Sequence, residues 1–240
     1  MQAADYFAKT VLLNPDSNRA YLFLADSQMS AGNVKDALQT LDRAAKKFPP
    51  SFAVEYMTAM AFTREKDYTN ALPHFTQAEI LGKVGDTNRL SDVFYFQFGA
   101  TCERAGDYAE AEINFEKCLK LAPDFAEALN YLGYMWADRG EKLDSARGLI
   151  EKALKADPKN AAYLDSMGWV LFKLKQPAKA VDYILKAIKY SDEADATIYE
   201  HLGDIYAALG QSAKAHDAWS KSLSIEPSDE LRNKLQSPGK

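Results

Sequence analysis

Tyr95-Phe96-Gln97-Phe98-Gly99-Ala100-Thr101-Cys102, followed by Ala111, Phe115, Cys118 and Pro123, is the stretch whose reading decides the fold. A bulky residue is followed, after two intervening positions, by an apolar residue and Gly, and an Ala stands twelve residues beyond that Gly. The same frame fits Tyr199, Leu202, Gly203, Tyr206, Ala215, Trp219, Ser222 and Pro227, and six copies can be laid along the chain. A return of about 34 residues marks an array of helix-turn-helix repeats, in which each repeat buries its apolar face against its neighbours.

Placed on helices, the frame explains itself. Repeat positions 4, 7, 8 and 11 recur at helical spacing and give a first helix one apolar stripe; positions 20, 24 and 27 do the same for a second. Position 8 reads Ala25, Ala59, Gly99, Gly133, Gly168, Gly203, and position 20 reads Ala37, Ala71, Ala111, Ala146, Ala180, Ala215. Side chains shrink where two backbones must come close. Position 24 supplies the plug against them, with Leu41, Phe75, Phe115, Ile150, Ile184 and Trp219. Gly32-Asn33, Gly106-Asp107, Gly140-Glu141 and Gly210-Gln211 are read as the ends of first helices, and Asn14-Pro15, Pro49-Pro50, Ala122-Pro123, Asp157-Pro158 and Glu226-Pro227 as the ends of second helices.

This pattern resembles the tetratricopeptide repeat (TPR) family, whose W-x2-L-G-x2-Y, A-x3-F, P signature it matches over nearly the whole chain. The position-20 alanines lie 34, 40, 35, 34 and 35 residues apart, a regularity that a simple bundle has no reason to produce. Runs such as Asn130-Tyr131-Leu132-Gly133-Tyr134 look most like bacterial proteins with many such repeats. The resemblance implies an all-α, right-handed superhelical solenoid of antiparallel helix pairs. The expected organisation is a second helix of a truncated repeat over 1–17, repeats over 18–51, 52–85, 92–125, 126–160, 161–195 and 196–229, and a capping helix and tail over 230–240. The start is read as a cut from a longer protein, with a single-helix cap or a dimer contact as the alternative. An insertion loop is placed at 86–91, because Leu81 to Asn88 lengthens the period by six residues, carries Gly82 and Gly85, and shows no apolar stripe.

Composition narrows the function. The 240 residues carry 29 Lys and Arg against 34 Asp and Glu, a net charge of -5, which argues against a nucleic-acid footprint of clustered cations. No apolar run is long enough to span a bilayer, so direct membrane insertion is not expected. His74, His201 and His216 lack partners at metal-ligand spacing, and no Walker loop, nucleophile elbow or Gly-rich strand-to-helix motif occurs. No cofactor, metal or catalysis is therefore expected. Cys102 and Cys118 share one repeat at core positions 11 and 27 and are read as buried thiols, with a disulfide as the alternative if their Cβ atoms approach.

What remains is a binding surface. The resemblance implies that first helices line a concave groove and that repeat positions 2, 5, 9 and 12 meet a ligand. Those positions collect an aromatic and methionine stripe of Met29, Tyr56, Met60, Phe96, Tyr134, Trp169 and Phe172, and an acidic end of Asp165, Glu200 and Asp204. The expected partner is a protein or peptide segment with apolar and basic residues, because aromatics anchor interfaces and charges orient them. Trp169, at position 9, faces away from its own helix pair in this frame and is the leading single anchor. Chaperone-binding members of the family clamp a C-terminal carboxylate with Lys, Asn and Arg side chains in the groove. Position 5 here reads Leu22, Tyr56, Phe96, Asn130, Asp165, Glu200, with no Lys or Arg, so that clamp is absent. The function read from the sequence is a non-enzymatic protein-binding scaffold. The alternative is a recognition module of a larger enzyme or bacterial envelope lipoprotein, and self-association through exposed repeat ends is a third reading.

Overall fold

The computed structural model describes residues 2–236. These form fourteen α-helices and one short 3-10 turn, with no strand among the described residues. The chain divides after Leu121 into two compact units. The first holds α1 (Gln2–Leu13), α2 (Asn18–Ser30), α3 (Val34–Lys47), α4 (Phe52–Arg64), α5 (Tyr68–Val84), α6 (Asp92–Arg104) and α7 (Tyr108–Leu121). The second holds α8 (Ala126–Arg139), α9 (Leu143–Ala156), α10 (Ala161–Lys173), α11 (Pro177–Tyr190), α12 (Ala196–Ala208), α13 (Ser212–Ile225) and α14 (Asp229–Gln236).

Each first helix pairs with the second helix that follows it, and the pairing rests on the small residues at position 8. A Cβ at Gly99 would lie 2.9 Å from the Phe115 ring, and one at Gly133 would lie 2.7 Å from Ile150 Cγ1. At Gly168 and Gly203 it would collide with Ile184 and Trp219. The position-24 plugs Leu41, Phe75, Phe115, Ile150 and Ile184 are completely buried, each worth about 1.5–3 kcal/mol relative to exposure.

Local chemistry sets the helix ends. Ser17, Ser51, Ser91, Asn160 and Asp195 precede first helices, and each side chain accepts from a backbone N–H in the first turn. This satisfies donors that have no intrahelical acceptor. Each first helix then closes with one pattern of paired hydrogen bonds: Gly106 N–H donates to Glu103 O and Asp107 N–H to Cys102 O, and Lys175 N–H donates to Phe172 O and Gln176 N–H to Leu171 O. That closure needs a left-handed residue. Gly32, Gly106, Gly140 and Gly210 supply it with φ from 71° to 82°, and Lys66 and Lys175 adopt it at 60° and 62° without the freedom of glycine.

The loop read over Leu81 to Asn88 is corrected in part. α5 continues to Val84, and a 3-10 turn covers Thr87–Arg89. Gly82 is a packing residue there: a Cβ on it would lie 2.7 Å from Leu90 Cδ2, so its missing side chain lets buried Leu90 lie against the helix. Glu79 ties α5 to α7, accepting from Lys117 Nζ at 2.8 Å, and also pairs with Lys83 of its own helix at 3.0 Å. At the far end, α14 places Leu231 in a cluster with Ala215 and Trp219, with Leu235 packed alongside. Cys102 and Cys118 are buried thiols, and burial, with Asp107 and Glu110 nearby, pushes the Cys102 thiol up to about 12.

Candidate functional site

In the first unit, Tyr56, Met60 and Phe96 are half-buried on first helices α4 and α6. Tyr56 stacks on Phe52 at 5.5 Å and meets Phe75 and Phe94 on other sides, and burial raises its phenol above the ordinary value. Phe96 leans on Phe115 at 6.1 Å. Met29 departs from the expected stripe. It is only 7% exposed and packs with Val34, Leu41 and Ala61 in the core, because α4 covers it: Arg64 of that helix donates to the Met29 carbonyl at 2.8 Å.

In the second unit, Tyr134 and Phe172 are half-buried. Trp169 and Asp165 are not exposed as expected, with 7% and 6% of their surface accessible. The indole N–H of Trp169 donates to Asp138 Oδ1 at 3.1 Å, and its ring stacks on His201 at 3.9 Å and on Phe172 at 5.2 Å. Facing away from its own helix pair directs Trp169 into the space between α8 and α12. Asp165 meets His201 Nδ1 at 2.9 Å, and this buried pair ties α10 to α12.

The acidic end is also occupied. Lys234 Nζ of α14 donates to Glu200 at 3.0 Å and to both oxygens of Asp204 at 3.1 Å, and Asp204 additionally accepts from the Trp219 indole at 2.9 Å. Burial acts to lower the Lys234 pKa, but the two carboxylates outweigh it and hold the ammonium above its ordinary value. The expectation that Asp165, Glu200 and Asp204 stand open for a basic ligand is thus corrected: His201 and Lys234 of the chain itself meet them.

Comparison with known proteins fits these geometries. Tetratricopeptide repeat models match residues 1–52, 24–83 and 103–161, and a further one matches 161–193 and 196–229. The chain belongs to the tetratricopeptide repeat family. The TPR repeat-containing protein PA4667 of Pseudomonas aeruginosa is 32% identical over 132 residues, which is 55% of this TPR chain and 21% of that protein. The chain therefore spans about a fifth of that relative's length. Among solved structures, the Cut9–Hcn1 hetero-tetramer of APC/C aligns with a TM-score of 0.78 at 17% identity, over 100% of this chain and 46% of that one. A tetratricopeptide repeat protein from Parabacteroides merdae aligns at 0.71 and 18%, over 98% and 90%. At those identities the likeness establishes the TPR fold.

Two residues of this surface escape a reading by repeat position alone. His201 and Lys234 follow Asp165 and Glu200 by 36 and 34 residues, one repeat further on, and that spacing is the signal that could have found them. Asn130 on α8 is 7% exposed, and its side-chain carbonyl has no hydrogen-bond partner. A buried acceptor left unmatched is costly. No helix among the described residues is long and apolar enough to cross a membrane.

Proposed function

We propose that each unit uses its first-helix face to hold a segment of a protein partner, without catalysis of its own. The TPR fold suggests a protein–protein interaction scaffold. The finer reading assigns apolar contact to Tyr56, Met60 and Phe96 in the first unit and to Tyr134 and Phe172 in the second. Trp169, Asp165 and Met29 hold that face in shape from beneath. The observation that carries the reading is the set of half-buried side chains on these first helices, Tyr56, Met60 and Phe96 in the first unit and Tyr134 and Phe172 in the second. An extended or helical segment would lay its apolar side chains on these aromatics. A basic residue of the partner would compete with Lys234 for Glu200 and Asp204.

A photo-crosslinking amino acid placed at Phe96, Phe172 or Lys152 tests this in cells of the native host. Adducts are expected from the first two positions. Adducts from Lys152 alone would place the binding surface elsewhere. A second reading, the array as recognition module of a longer protein, draws support from the small share of the PA4667 relative that the match covers.

A further inference from the structure

Repeat position 4 reads Tyr21, Glu55, Tyr95, Leu129, Leu164, Tyr199, and position 7 reads Leu24, Thr58, Phe98, Leu132, Met167, Leu202. Only the second repeat replaces both apolar residues with polar ones. In the other repeats the position-7 side chains are all buried, whereas Glu55 and Thr58 are half-buried. A pocket of about 420 Å³ opens where the larger side chains would stand, between α3 and α5 with α4 as its floor. That volume falls within the range of sites built to receive a ligand group.

The lining is ordered for one kind of guest. Leu38, Leu41, Val54 and Phe62 give it an apolar interior. His74 lies parallel to Phe62, 17° apart with centroids at 5.6 Å, and its Nδ1 stands 2.7 Å from Glu55 Oε2, which fixes the carboxylate on the wall. Asp42 adds a second carboxylate, and none of the lining residues is Lys or Arg. Its pairing with Lys46 is an exposed contact within one helix, of the kind that exchanges readily with another cation.

We propose that this pocket is a second peptide site, taking one large apolar side chain from a partner segment that carries Lys or Arg beside it. The apolar interior receives the side chain, and Asp42 and Glu55 receive the neighbouring cation. The proposal does not rest on the first-helix reading, since the pocket shares no residue with that surface.

Titration of the whole chain with two capped dipeptides, N-acetyl-Phe-Lys-amide and N-acetyl-Phe-Glu-amide, tests it through methyl NMR. Saturable shifts are expected at Leu38, Leu41 and Val54 with the Lys peptide, and binding about tenfold weaker with the Glu peptide. Asp42→Asn and Glu55→Gln, which keep shape, should each weaken the Lys peptide several-fold, roughly three to ten. The double substitution Glu55→Tyr, Thr58→Leu restores the repeat pattern; it should hold or raise the melting temperature and remove the shifts. Absence of saturable shifts in the native chain, or equal binding of the two dipeptides, would overturn the proposal. So would shifts that persist in the filled variant, or phenethylamine binding as tightly as the Lys peptide.

Discussion

The indole of Trp169 lies on the imidazole of His201, with ring centroids 3.9 Å apart and planes 15° from parallel. A residue outside its own helix pair thereby becomes the packing between first helices α10 and α12. Replacing Trp169 with Ala should destabilise the second unit by about 3–5 kcal/mol, the cost of removing a large buried aromatic. Urea denaturation checks this, and an unchanged midpoint would show that the stack carries no stability.

Lys234 gives a pH dependence at the alkaline end. Its folded pKa lies above the ordinary value of about 10.4. The contribution of its ion pairs is therefore full below that ordinary value and lost as pH rises through the folded one. Methyl resonances of Leu231 and Leu235 should report α14 docked up to about pH 10 and loosening above it. Lys234→Met should loosen the helix already at neutral pH and remove the alkaline step.

The left-handed lysines offer a gain in stability. Lys66→Gly and Lys175→Gly should each stabilise the chain by about 0.5–1 kcal/mol, since relief of steric strain exceeds the added entropy of the unfolded glycine. Gly106→Ala, the reverse change at the equivalent turn, should cost about 1 kcal/mol. Thermal melts of the three variants would settle the ordering, and a loss on introducing glycine would refute it.

A side chain at Gly168 would run into Ile184 of the facing helix. Gly168→Leu should cost about 1–3 kcal/mol or more through overpacking. Coupling it with Ile184→Ala should return part of that loss, because the two residues contend for the same space. Strict additivity in a double-mutant cycle would contradict the crossing.

Whatever recurs within one repeat is legible in the sequence. Gly203 against Trp219, Ala111 as a small contact and Gly106 in its turn each follow from position alone, because the same local packing problem is solved six times. Gly82 misled because a turn and a close approach both select glycine, and only the position of Leu90 tells them apart. The candidate surface was harder to read for a different reason. The frame fixes each helix against its own partner but leaves open what the adjoining repeat brings to its far side. Trp169, Asp165 and Met29 are therefore correct as members of first helices and wrong as exposed residues. Glu55 and Thr58 break the apolar pattern of positions 4 and 7, yet the pocket they open depends on residues of three helices.

The ties around Trp169 bear on how the second unit comes apart. In a linear array each repeat feels only its neighbours, and ends fray first. Here the Trp169 indole N–H reaches Asp138 on α8, while its ring and Asp165 both hold His201 on α12. Opening α12 alone would uncover a buried aspartate and half of an aromatic stack, so the loss spreads to α10 and through it to α8. Amides in these three helices should accordingly exchange with a common opening free energy, as a single cooperative block rather than a zipper undone from its end.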